Sequence, residues 1–384
     1  MNTYDIAIIG GGLAGLAAAV TLAKKGHATV LFAPKGPIDR RTSALMRPSV
    51  DFLVRAGLIG SAEGHGEPLT AIRIIDATAR LIRGPETLFR AGEIGASAFG
   101  WNFANAPLLA HFAEQAAALP GLSVIEAPAS GFVRTAQGFE IALASGAAVT
   151  AFLLVGADGK RSPVRQFAGI AAHERTFAEA ALVADLELAR PLDGESVEFH
   201  YEHGPFTLVP AGGNRANLVW IDRRDVLETA TAGNLATALA ERSRNLFGAL
   251  AVSGPAAIFP LSMLSVATAG RDGIALVGEA AHAFPPIGAQ GLNLGLRDVA
   301  DLVDALDGAD LSAPGSADTV SRDYATRRAA DLMRTGGGVE ALFRSLVADF
   351  LPVQAARAGG LWALKLVPGL RRAAMHAGMG TRRI

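Results

Sequence analysis

The hydrophobic pattern near the N-terminus predicts a strand, a helix and a second strand. Residues 4–9 and 28–32 are short apolar runs typical of strands that are buried on both faces. Between them, Leu16, Val20 and Ala23 recur at helical spacing. Such a βαβ unit predicts a parallel sheet.

The rest of the chain alternates between strand-rich and helical segments. Strands are predicted within residues 71–90, 123–155, 179–220 and 274–278, and helices over 41–57, 108–118, 291–306 and from 322 onward. This order predicts an α/β nucleotide-binding core that is interrupted by a strand-rich insert over residues 171–261 and closed by a helical tail.

Composition excludes several classes of protein. Half of the 384 residues are hydrophobic and 18% are charged, which is typical of a folded chain with a sizeable core. The net charge of -1 gives no basic field that would hold nucleic acid. The chain has no cysteine, which excludes disulfides, zinc–thiolate sites, iron–sulfur clusters and cysteine nucleophiles, and we expect no metal site.

Two features of the chain bear on its location. The first residues enter a predicted strand directly, with no basic leader or cleavage site. The long uncharged run at residues 245–270 is interrupted by glycine and proline, which argues against a membrane-spanning helix. We therefore expect neither a targeting segment nor a spanning helix, and a cytoplasmic location. From Arg322 onward the chain carries 11 Lys or Arg and four Asp or Glu, and no acid follows Asp349.

The basic tail after Asp349 favours peripheral contact with the inner face of the membrane. Trp362 lies among leucines within residues 355–367, next to basic side chains, and this combination suits anionic headgroups. The alternative is that these apolar side chains pack on the nucleotide-binding domain and that the arginines are solvated. Gly359 and Gly360 weaken a long helix and favour the alternative.

The first candidate site is a glycine-rich turn between the first strand and the first helix. Residues 10–15 read G-G-G-L-A-G and match the pattern G-x-G-x-x-G. In this spacing Gly10 permits a tight turn, Gly12 lets the backbone approach a pyrophosphate, and Gly15 lets helix and strand pack closely. The helix N-terminus offers N–H donors to phosphates. A purely structural turn is the alternative, but the placement favours a dinucleotide site.

The acid that usually binds a ribose hydroxyl is missing. It is expected about 20 residues beyond the glycines, at the end of the second strand. This chain has Ala33 there, so other groups hold the ribose or the affinity is lower. Arg41 is a candidate to compensate through the phosphates. Alternatively, Arg41 caps or solvates a helix.

The second candidate site follows an apolar strand that ends near residue 155. Asp158 and Gly159 form a turn, and Ser162 and Arg165 lie in the helix start that comes next. The carboxylate can bind a ribose or orient a neighbouring loop. Asp-Gly turns are also common purely structural elements, so both readings stay open.

The third candidate site follows the predicted strand at residues 274–278. Glu279 lies at the carboxyl end of this strand, where open α/β sheets bind ligands, and can bind a ribitol or ribose hydroxyl. The backbone amides of residues 288–291, at a helix start, suit an anionic ring or a phosphate. We interpret His282 as a structural hydrogen-bonding residue rather than a proton shuttle.

Together and in this order, the three motifs resemble those of the class A flavoprotein aromatic hydroxylases. More narrowly, the chain resembles the ubiquinone-biosynthesis hydroxylase family of the UbiH/UbiF type. That family's signature ends in Q-G-x-N-x-G-x-x-D, and residues 290–298 read Q-G-L-N-L-G-L-R-D, which meets every fixed position. The resemblance spans essentially the whole chain. Its departures are Ala33 for an acid, Ala106 for an arginine, Glu279 for an aspartate, and changes at Pro285, Gly288 and Ala289.

The resemblance implies both a fold and a reaction. The fold is α/β, an FAD-binding Rossmann-like core with an inserted strand-rich substrate domain and a C-terminal helical segment. The reaction is hydroxylation of the aromatic ring of a polyprenylated phenol in ubiquinone biosynthesis. FAD is the implied cofactor, with NADPH or NADH as the transient reductant, O2 as co-substrate and a flavin C4a-hydroperoxide as the oxidant.

The resemblance also implies partners and leaves alternatives. The implied partners of the protein are the hydrophobic phenol substrate and other quinone-biosynthesis proteins. Nucleic acid is not an expected partner. One alternative is a related flavoenzyme that acts on another phenol or prenyl lipid. The other is a non-catalytic flavin-fold subunit of a biosynthetic complex.

The resemblance divides the chain into discontinuous domains and assigns a site. The FAD-binding domain comprises residues 1–72, 98–170 and 262–321, the substrate domain 73–97 and 171–261, and the helical segment 322–384. The expected cofactor-binding residues are Gly10, Gly12, Leu13, Ala14, Gly15, Arg41, Asp158, Gly159, Gly278, Glu279, Pro286, Gly288, Ala289, Gln290, Gly291, Leu292 and Asn293. The expected substrate-pocket residues are Phe206, Leu208, Trp220, Phe284 and Pro285; those on strands are alternatively core residues. No catalytic base is assigned among His200, Tyr201, His203 and His282.

Overall fold

A computed structural model describes residues 2–80, 82–286, 288–347 and 351–380. Its α-helices are α1 (Leu13–Lys24), α2 (Arg47–Arg55), α3 (Asn105–Ala118), α4 (Pro163–Phe167), α5 (Arg224–Ala232), α6 (Leu235–Arg242), α7 (Gln290–Ala305), α8 (Ser316–Val347), α9 (Leu351–Leu366) and α10 (Pro368–Met379). Short 3-10 helices cover Ala91–Ile94 and Gly278–Ala280.

The strands run through three sheets. They are β1 (Thr3–Ile9), β2 (Thr29–Phe32), β3 (Thr42–Met46), β4 (Gly66–Leu69), β5 (Ala71–Asp76), β6 (Thr87–Arg90), β7 (Gly100–Ala104), β8 (Leu122–Ile125), β9 (Ala129–Thr135), β10 (Gly138–Leu143), β11 (Ala148–Gly156), β12 (Ala172–Leu188), β13 (Glu195–Tyr201), β14 (Gly204–Pro210), β15 (Arg215–Arg223), β16 (Leu250–Val252), β17 (Ala257–Val266), β18 (Gly270–Arg271), β19 (Ile274–Leu276) and β20 (His282–Ala283).

The first sheet is mostly parallel and forms the predicted nucleotide-binding core. Strands β19, β11, β1, β2 and β8 lie side by side in that order and run parallel. Strands β18, β10 and β9 extend the sheet in antiparallel fashion. The predicted βαβ unit is confirmed, because α1 connects β1 to its parallel neighbour β2.

Both faces of this sheet are covered. On β1, Ile6 and Ile8 pack in one cluster with residues of α1, α3 and α7, whereas Ala7 and Ile9 pack in a second cluster with Phe139 and others. None of these four β1 residues is more than 7% exposed. Burial on both faces is the reason that this strand reads as a continuous apolar run.

The second sheet is formed mainly by the predicted insert. Its order is β20, β17, β12, β15, β14, β13, β5 and β6, with β16 beside β12. Strand β5 precedes the insert in the chain but pairs in parallel with β13 and in antiparallel with β6, which brings β5 and β6 into the same sheet. At the opposite edge, β20 pairs with β17 and so ties this sheet to the segment that carries the third motif.

Two helices inside the insert were not predicted. They are α5 and α6, and their Leu227 and Leu239 are fully buried against one face of the second sheet. The other face turns toward the nucleotide-binding core, since Asn217 of β15 accepts a hydrogen bond of 2.7 Å from Asn102 of β7. The insert is therefore a sheet with one helix-covered face and one face directed at the core.

A small third sheet corrects one prediction. The pattern over residues 41–57 predicted a single helix, but Thr42–Met46 forms β3, and α2 begins only at Arg47. Strand β3 pairs with β7, which also pairs with β4. Pairing with a distant strand outweighs a weak local helical pattern here. Proline in the first turn of α2 suits the observed helix start.

The tail helices dock on strand β6, at the edge of the second sheet, and on its flanks. Arg357 of α9 pairs with Asp76 at 3.1 Å, and Arg371 of α10 pairs with Glu93 at 2.6 Å. Hydrogen bonding from Arg371 lowers the pKa of Glu93 to about 2. Met375 is buried beside β6. No helix within the described ranges is long and apolar enough to cross a membrane.

Candidate active site

The three sequence motifs meet at one edge of the parallel sheet. Strands β1, β11 and β19 are neighbours, and Gly156 on β11 lies opposite both Ile9 on β1 and Leu276 on β19. The turns that follow these strands therefore begin at the same level. Carboxyl ends of parallel strands are where open α/β sheets bind their ligands.

Backbone contacts at this edge leave room only for glycine at two positions. A Cβ at Gly10 would lie 2.2 Å from the carbonyl oxygen of Ala157, and a Cβ at Gly15 would lie 1.9 Å from that of Gly10. Gly10 also has a φ of +119°, which side chains rarely tolerate. The tight turn and the close approach of α1 to the sheet both depend on these two residues.

Gly12 has open space in front of it. A Cβ at this position would meet no atom of the described residues within 4 Å. Gly12 is the N-cap of α1, and within the part of the chain that the structure describes no side chain caps this helix. Uncapped N–H groups at a helix start beside open space fit a pyrophosphate.

The third motif packs directly on the first. A Cβ at Gly278 would lie 3.2 Å from the Cβ of Ala14, and a Cβ at Gly295 of α7 would lie 3.5 Å from the same atom. Helix α7 follows Ala289, which has a left-handed φ of +54°, and its first turn contains no acid. Two uncharged helix starts, those of α1 and α7, therefore lie at this edge.

Glu279 and Arg41 bring charge to the same edge. Glu279 has an exposed side chain on the Gly278–Ala280 turn. Arg41 precedes β3, so it does not cap a helix; it donates to Asp39 at 2.8 and 2.9 Å. The bond to Asp39 raises the pKa of Arg41, and the charge of Glu279 adds to that effect. Arg41 and Glu279 are thus within electrostatic reach of each other.

Asp158 presents a carboxylate oxygen that lacks a partner. Its Oδ2 accepts a hydrogen bond of 3.0 Å from the backbone N–H of Val164. Its Oδ1 is buried and has no hydrogen-bond partner among the described residues. Burial raises the pKa of Asp158, although Ser162 and Val164 act to lower it. A buried acceptor without a donor fits a ligand hydroxyl.

Arg165 connects the second motif to the third. It is buried and donates to the carbonyl oxygens of Ala280 and Lys160, each at 2.8 Å. Ser162 caps α4 by accepting from the N–H of Arg165 at 2.9 Å. Both residues therefore hold the loops together, and Gly159 supplies the positive φ of +80° that their turn requires.

The expected cofactor-binding residues after Phe284 differ in their side-chain roles. Asn293 is buried, donates to the Ala44 carbonyl at 2.8 Å and accepts from the Met46 N–H at 2.8 Å. It therefore anchors α7 to β3. The others after Phe284 are exposed or half-buried at the edge: Pro286, Gly288, Ala289, Gln290, Gly291 and Leu292. Leu13, in the first motif, is also half-buried. Ile287, within the same loop, lies outside the described residues.

A buried ion cluster under the third motif was not predicted. Asp298 accepts hydrogen bonds from the Gly278 N–H at 2.8 Å and from His282 Nε2 at 2.6 Å. Burial acts to raise the pKa of Asp298, but the neighbouring His282 and Arg328 hold it below its usual value. His282 is 1% exposed, which agrees with a structural role. Asp298 ends the sequence signature, whereas nothing in the local pattern marked Arg328.

Three expected substrate-pocket residues lie in the core of the insert instead. Phe206, Leu208 and Trp220 are at most 2% exposed and pack with Leu227 and Leu239 of the two inserted helices. Their face of the sheet is the one turned away from the nucleotide-binding core. The core alternative therefore holds for these three. Trp220 also borders an open cleft of about 550 Å³ on that far side.

The opposite face of β14 and β15 carries different side chains. Thr207, Val209 and Val219 alternate with the core residues, so they lie on the face directed at the nucleotide-binding core. All three are half-buried, and Thr207 lies directly opposite Val219. The alternation of side chains along these strands can be read from the sequence, but it does not show which face of the sheet meets the nucleotide-binding core.

Phe284 keeps its place as a substrate-pocket candidate. It is half-buried, and its ring stacks on that of His282 with centroids 5.8 Å apart. A Cβ at Gly336 of α8 would lie 3.4 Å from Met263 Cε and 3.5 Å from the Phe284 ring. Pro285, the neighbouring candidate, is buried.

The donors and acceptors at this edge fit FAD. Two helix starts offer N–H groups for the pyrophosphate and for an electron-rich ring edge. Glu279 and the unpartnered Oδ1 of Asp158 are acceptors for ribose or ribitol hydroxyls. Within the described residues, no group of three or more His, Asp or Glu side chains could hold a metal ion.

Sequence comparisons agree with this geometry. A family model described as an FAD binding domain matches residues 3–329. The chain is 32% identical to ubiquinone hydroxylase UbiL of Rhodospirillum rubrum, over 99% of this chain and 90% of that protein. It is 28% identical to 3-demethoxyubiquinol 3-hydroxylase of Escherichia coli, over 98% of both chains.

Solved structures have the same fold. The p-nitrophenol 4-monooxygenase PnpA from Pseudomonas putida superimposes with a TM-score of 0.80 at 21% identity, over 100% of both chains. HpxO of Klebsiella pneumoniae, in complex with FAD and uric acid, gives a TM-score of 0.79 at 17% identity, over 98% of this chain and 96% of that one. The predicted fold class is confirmed.

Replacing Gly12 tests the pyrophosphate position. We expect Gly12→Val to fold normally, because a side chain there meets open space, and to lose FAD, because that space is where the phosphates approach. The FAD-to-protein ratio after purification measures this. Gly131→Val is the matched control, since a Cβ at Gly131 also meets nothing within 4 Å. Full FAD occupancy in Gly12→Val contradicts the assignment.

Replacing Glu279 tests the hydroxyl acceptor. We expect Glu279→Ala to raise the dissociation constant of FAD roughly 10- to 150-fold, because it removes a charge-assisted hydrogen bond of about 1.5–3 kcal/mol. The exposed side chain makes a loss of folding stability unexpected. Fluorescence titration with FAD gives the constant, and Glu114→Ala on exposed α3 is the control. An unchanged constant means that Glu279 is misplaced.

Proposed function

Because the chain belongs to the FAD binding domain family, with ubiquinone-biosynthesis hydroxylases as relatives, we propose that it hydroxylates the aromatic ring of a polyprenylated phenol in ubiquinone biosynthesis. It is an FAD-dependent monooxygenase, with NADPH or NADH as reductant and O2 as co-substrate. One observation carries the proposal: the three motif turns begin in register at one sheet edge, beside open space at Gly12.

The side chains at this edge would bind and orient the cofactor. Bound FAD supplies the redox chemistry and the activation of O2, and the protein supplies placement and a dry pocket. The N–H groups that follow Gly12 would hold the pyrophosphate. Glu279 and Asp158 Oδ1 would accept hydrogen bonds from hydroxyls. Arg41, held by Asp39, would place a positive charge beside the phosphates.

The substrate would lie between the two parts of the molecule. We place its ring between Phe284 and the face of the second sheet that carries Thr207, Val209 and Val219. These side chains are half-buried and mostly apolar, so they would exclude water from the reacting ring. The hydroxyl of a phenol activates its own ring, so no side-chain nucleophile is required.

The tail also supports contact with an anionic membrane surface. One face of α9 and α10 docks on β6, whereas Trp362, Leu366, Val367 and Leu370 are 47–69% exposed. Lys365 and Arg372 are exposed beside them, and the sequence after Asp349 contains no acid. Leu364 of the same run packs with Phe89 and Met375, whereas these four side chains stay exposed. Arg382 and Arg383 belong to the same basic tail but lie outside the described residues.

Expression in bacteria that lack a quinone-ring hydroxylase tests the function. We expect the unhydroxylated polyprenyl phenol that accumulates in such cells to disappear, and its hydroxylated product to carry an oxygen atom from labelled O2. Lipid extracts analysed by mass spectrometry give both readings. The Gly12→Val protein is the control. NAD(P)H oxidation by the purified yellow protein without any ring-hydroxylated product contradicts the proposal.

Vesicle sedimentation tests the membrane surface. We expect binding to phosphatidylglycerol-containing vesicles that falls as salt rises, because each basic residue near the surface contributes about 1 kcal/mol. A variant with Trp362→Ser, Leu366→Ser and Leu370→Ser loses apolar burial and should bind at least ~10-fold more weakly. Its control carries Val54→Ser, Val133→Ser and Leu246→Ser at exposed positions elsewhere. Equal sedimentation of the two variants points to a partner protein instead.

A further inference from the structure

We propose that Arg328, on a helix beyond the nucleotide-binding strands, is a positioning residue for the FAD site. The inference rests on the proposed function, because it assumes that FAD binds at the edge where the three motifs meet. Arg328 itself is fully buried under the third motif and would not touch the cofactor. It would act through Asp298.

A continuous chain of contacts leads from Arg328 to the predicted ligands of FAD. Arg328 Nε lies 2.6 Å from Asp298 Oδ1, and the other oxygen of that carboxylate accepts the Gly278 N–H at 2.8 Å. Gly278 has a positive φ of +60°, and the residue after it is Glu279. The position of Asp298 therefore sets where the backbone turns and where the Glu279 carboxylate is presented.

A second branch leads to the candidate substrate pocket. His282 Nε2 lies 2.6 Å from the same Asp298 oxygen that accepts from Gly278. The His282 ring stacks on Phe284 with an angle of 10° between the ring planes. The Asp298 carboxylate thus holds both ends of the short segment from Gly278 to His282. This segment carries Glu279 and leads into the loop that would face the flavin ring.

Helix α8 contacts this segment at three levels. Tyr324, Arg328, Leu332 and Gly336 are spaced four residues apart, so they share one face of the helix. Tyr324 donates to the Leu276 carbonyl, at the end of β19, at 2.6 Å. Gly336, three turns later, lies against Phe284. One face of a single helix therefore contacts the segment from β19 to Phe284 at three points, the middle one through Asp298.

Stability alone does not explain the cluster. Arg328 Nη1 lies 2.7 Å from Asp301 and 2.8 Å from Asp331, so three carboxylates surround one guanidinium. The side chains of Arg328 and Asp298 are at most 1% exposed. Burying such groups costs desolvation energy that an apolar cluster of the same volume would avoid. We infer that the buried charges serve to position the Gly278 amide and His282.

Replacing Arg328 tests the proposal through the cofactor itself. We expect Arg328→Met to raise the FAD dissociation constant about 10- to 100-fold, by analogy with the loss of a residue that orients a metal ligand. The visible spectrum of the remaining bound flavin should change. Its midpoint potential should fall, because losing a positive charge makes added electrons less favourable. Arg328→Lys keeps the charge and should recover part of the affinity and potential.

The matched control is Arg327→Met on the same helix. Arg327 is half-buried and ion-paired with Asp323 at 2.8 Å and Asp304 at 3.9 Å, but not with Asp298, so we expect its removal to change the FAD constant by no more than about twofold. A folded Arg328→Met protein with the wild-type FAD constant, spectrum and potential overturns the proposal. Wild-type protein that fails to bind FAD in the same titration contradicts the proposed function instead.

A measurement on the unaltered chain decides the case if Arg328→Met does not fold. Amide hydrogen exchange is followed in wild-type protein with and without FAD. We expect FAD to slow exchange in residues 276–298 and also in residues 324–332 of α8, because the two are joined through Asp298. Slower exchange in the first segment with unchanged exchange in the second overturns the proposal.

Discussion

The candidate active site depends on how closely three backbone turns approach one another at a single sheet edge. Strands β1, β11 and β19 end in register, and any side chain at Gly10 or Gly15 would overlap a carbonyl oxygen of the neighbouring turn or of its own loop. Since glycine alone permits these distances, the helix starts of α1 and α7 can lie at the same edge. Every other feature of the site is placed relative to this edge.

The second sheet and the tail are joined to the rest of the molecule by polar pairs as well as by apolar packing, such as that of Leu264 on β17 with the first sheet and of Met375 with β6. The second sheet has its own apolar cluster under α5 and α6, and its other face meets the core through pairs such as Asn102 and Asn217. The tail meets β5 and the segment after β6 through Arg357 and Arg371. Directional pairs of this kind specify orientation more than they add stability, which suits surfaces that enclose a substrate.

Local sequence signals identified the motif turns but not the faces of the strands. The glycine motif and the signature at residues 290–298 are each formed by residues close together in the sequence, so both could be recognised from the sequence alone. Alternation along β14 separated Phe206 from Thr207, but which side meets the core depends on how the insert folds back. The pairing of Arg328 with Asp298 joins residues 30 positions apart through a tertiary contact that no local periodicity encodes.

The alanine at the end of β2 changes how binding energy is distributed over the site. A Cβ at Gly11 would lie 2.6 Å from the Ala33 Cβ, so the end of β2 packs on the glycine turn and offers only apolar contact. The available carboxylates, those of Glu279 and Asp158, follow β19 and β11 instead. Each charge-assisted hydrogen bond contributes about 1.5–3 kcal/mol, so in the proposed site these two carboxylates would supply much of the affinity for FAD. The contacts that retain the cofactor would then lie on the loops after β19 and β11, next to the segment that leads to Phe284.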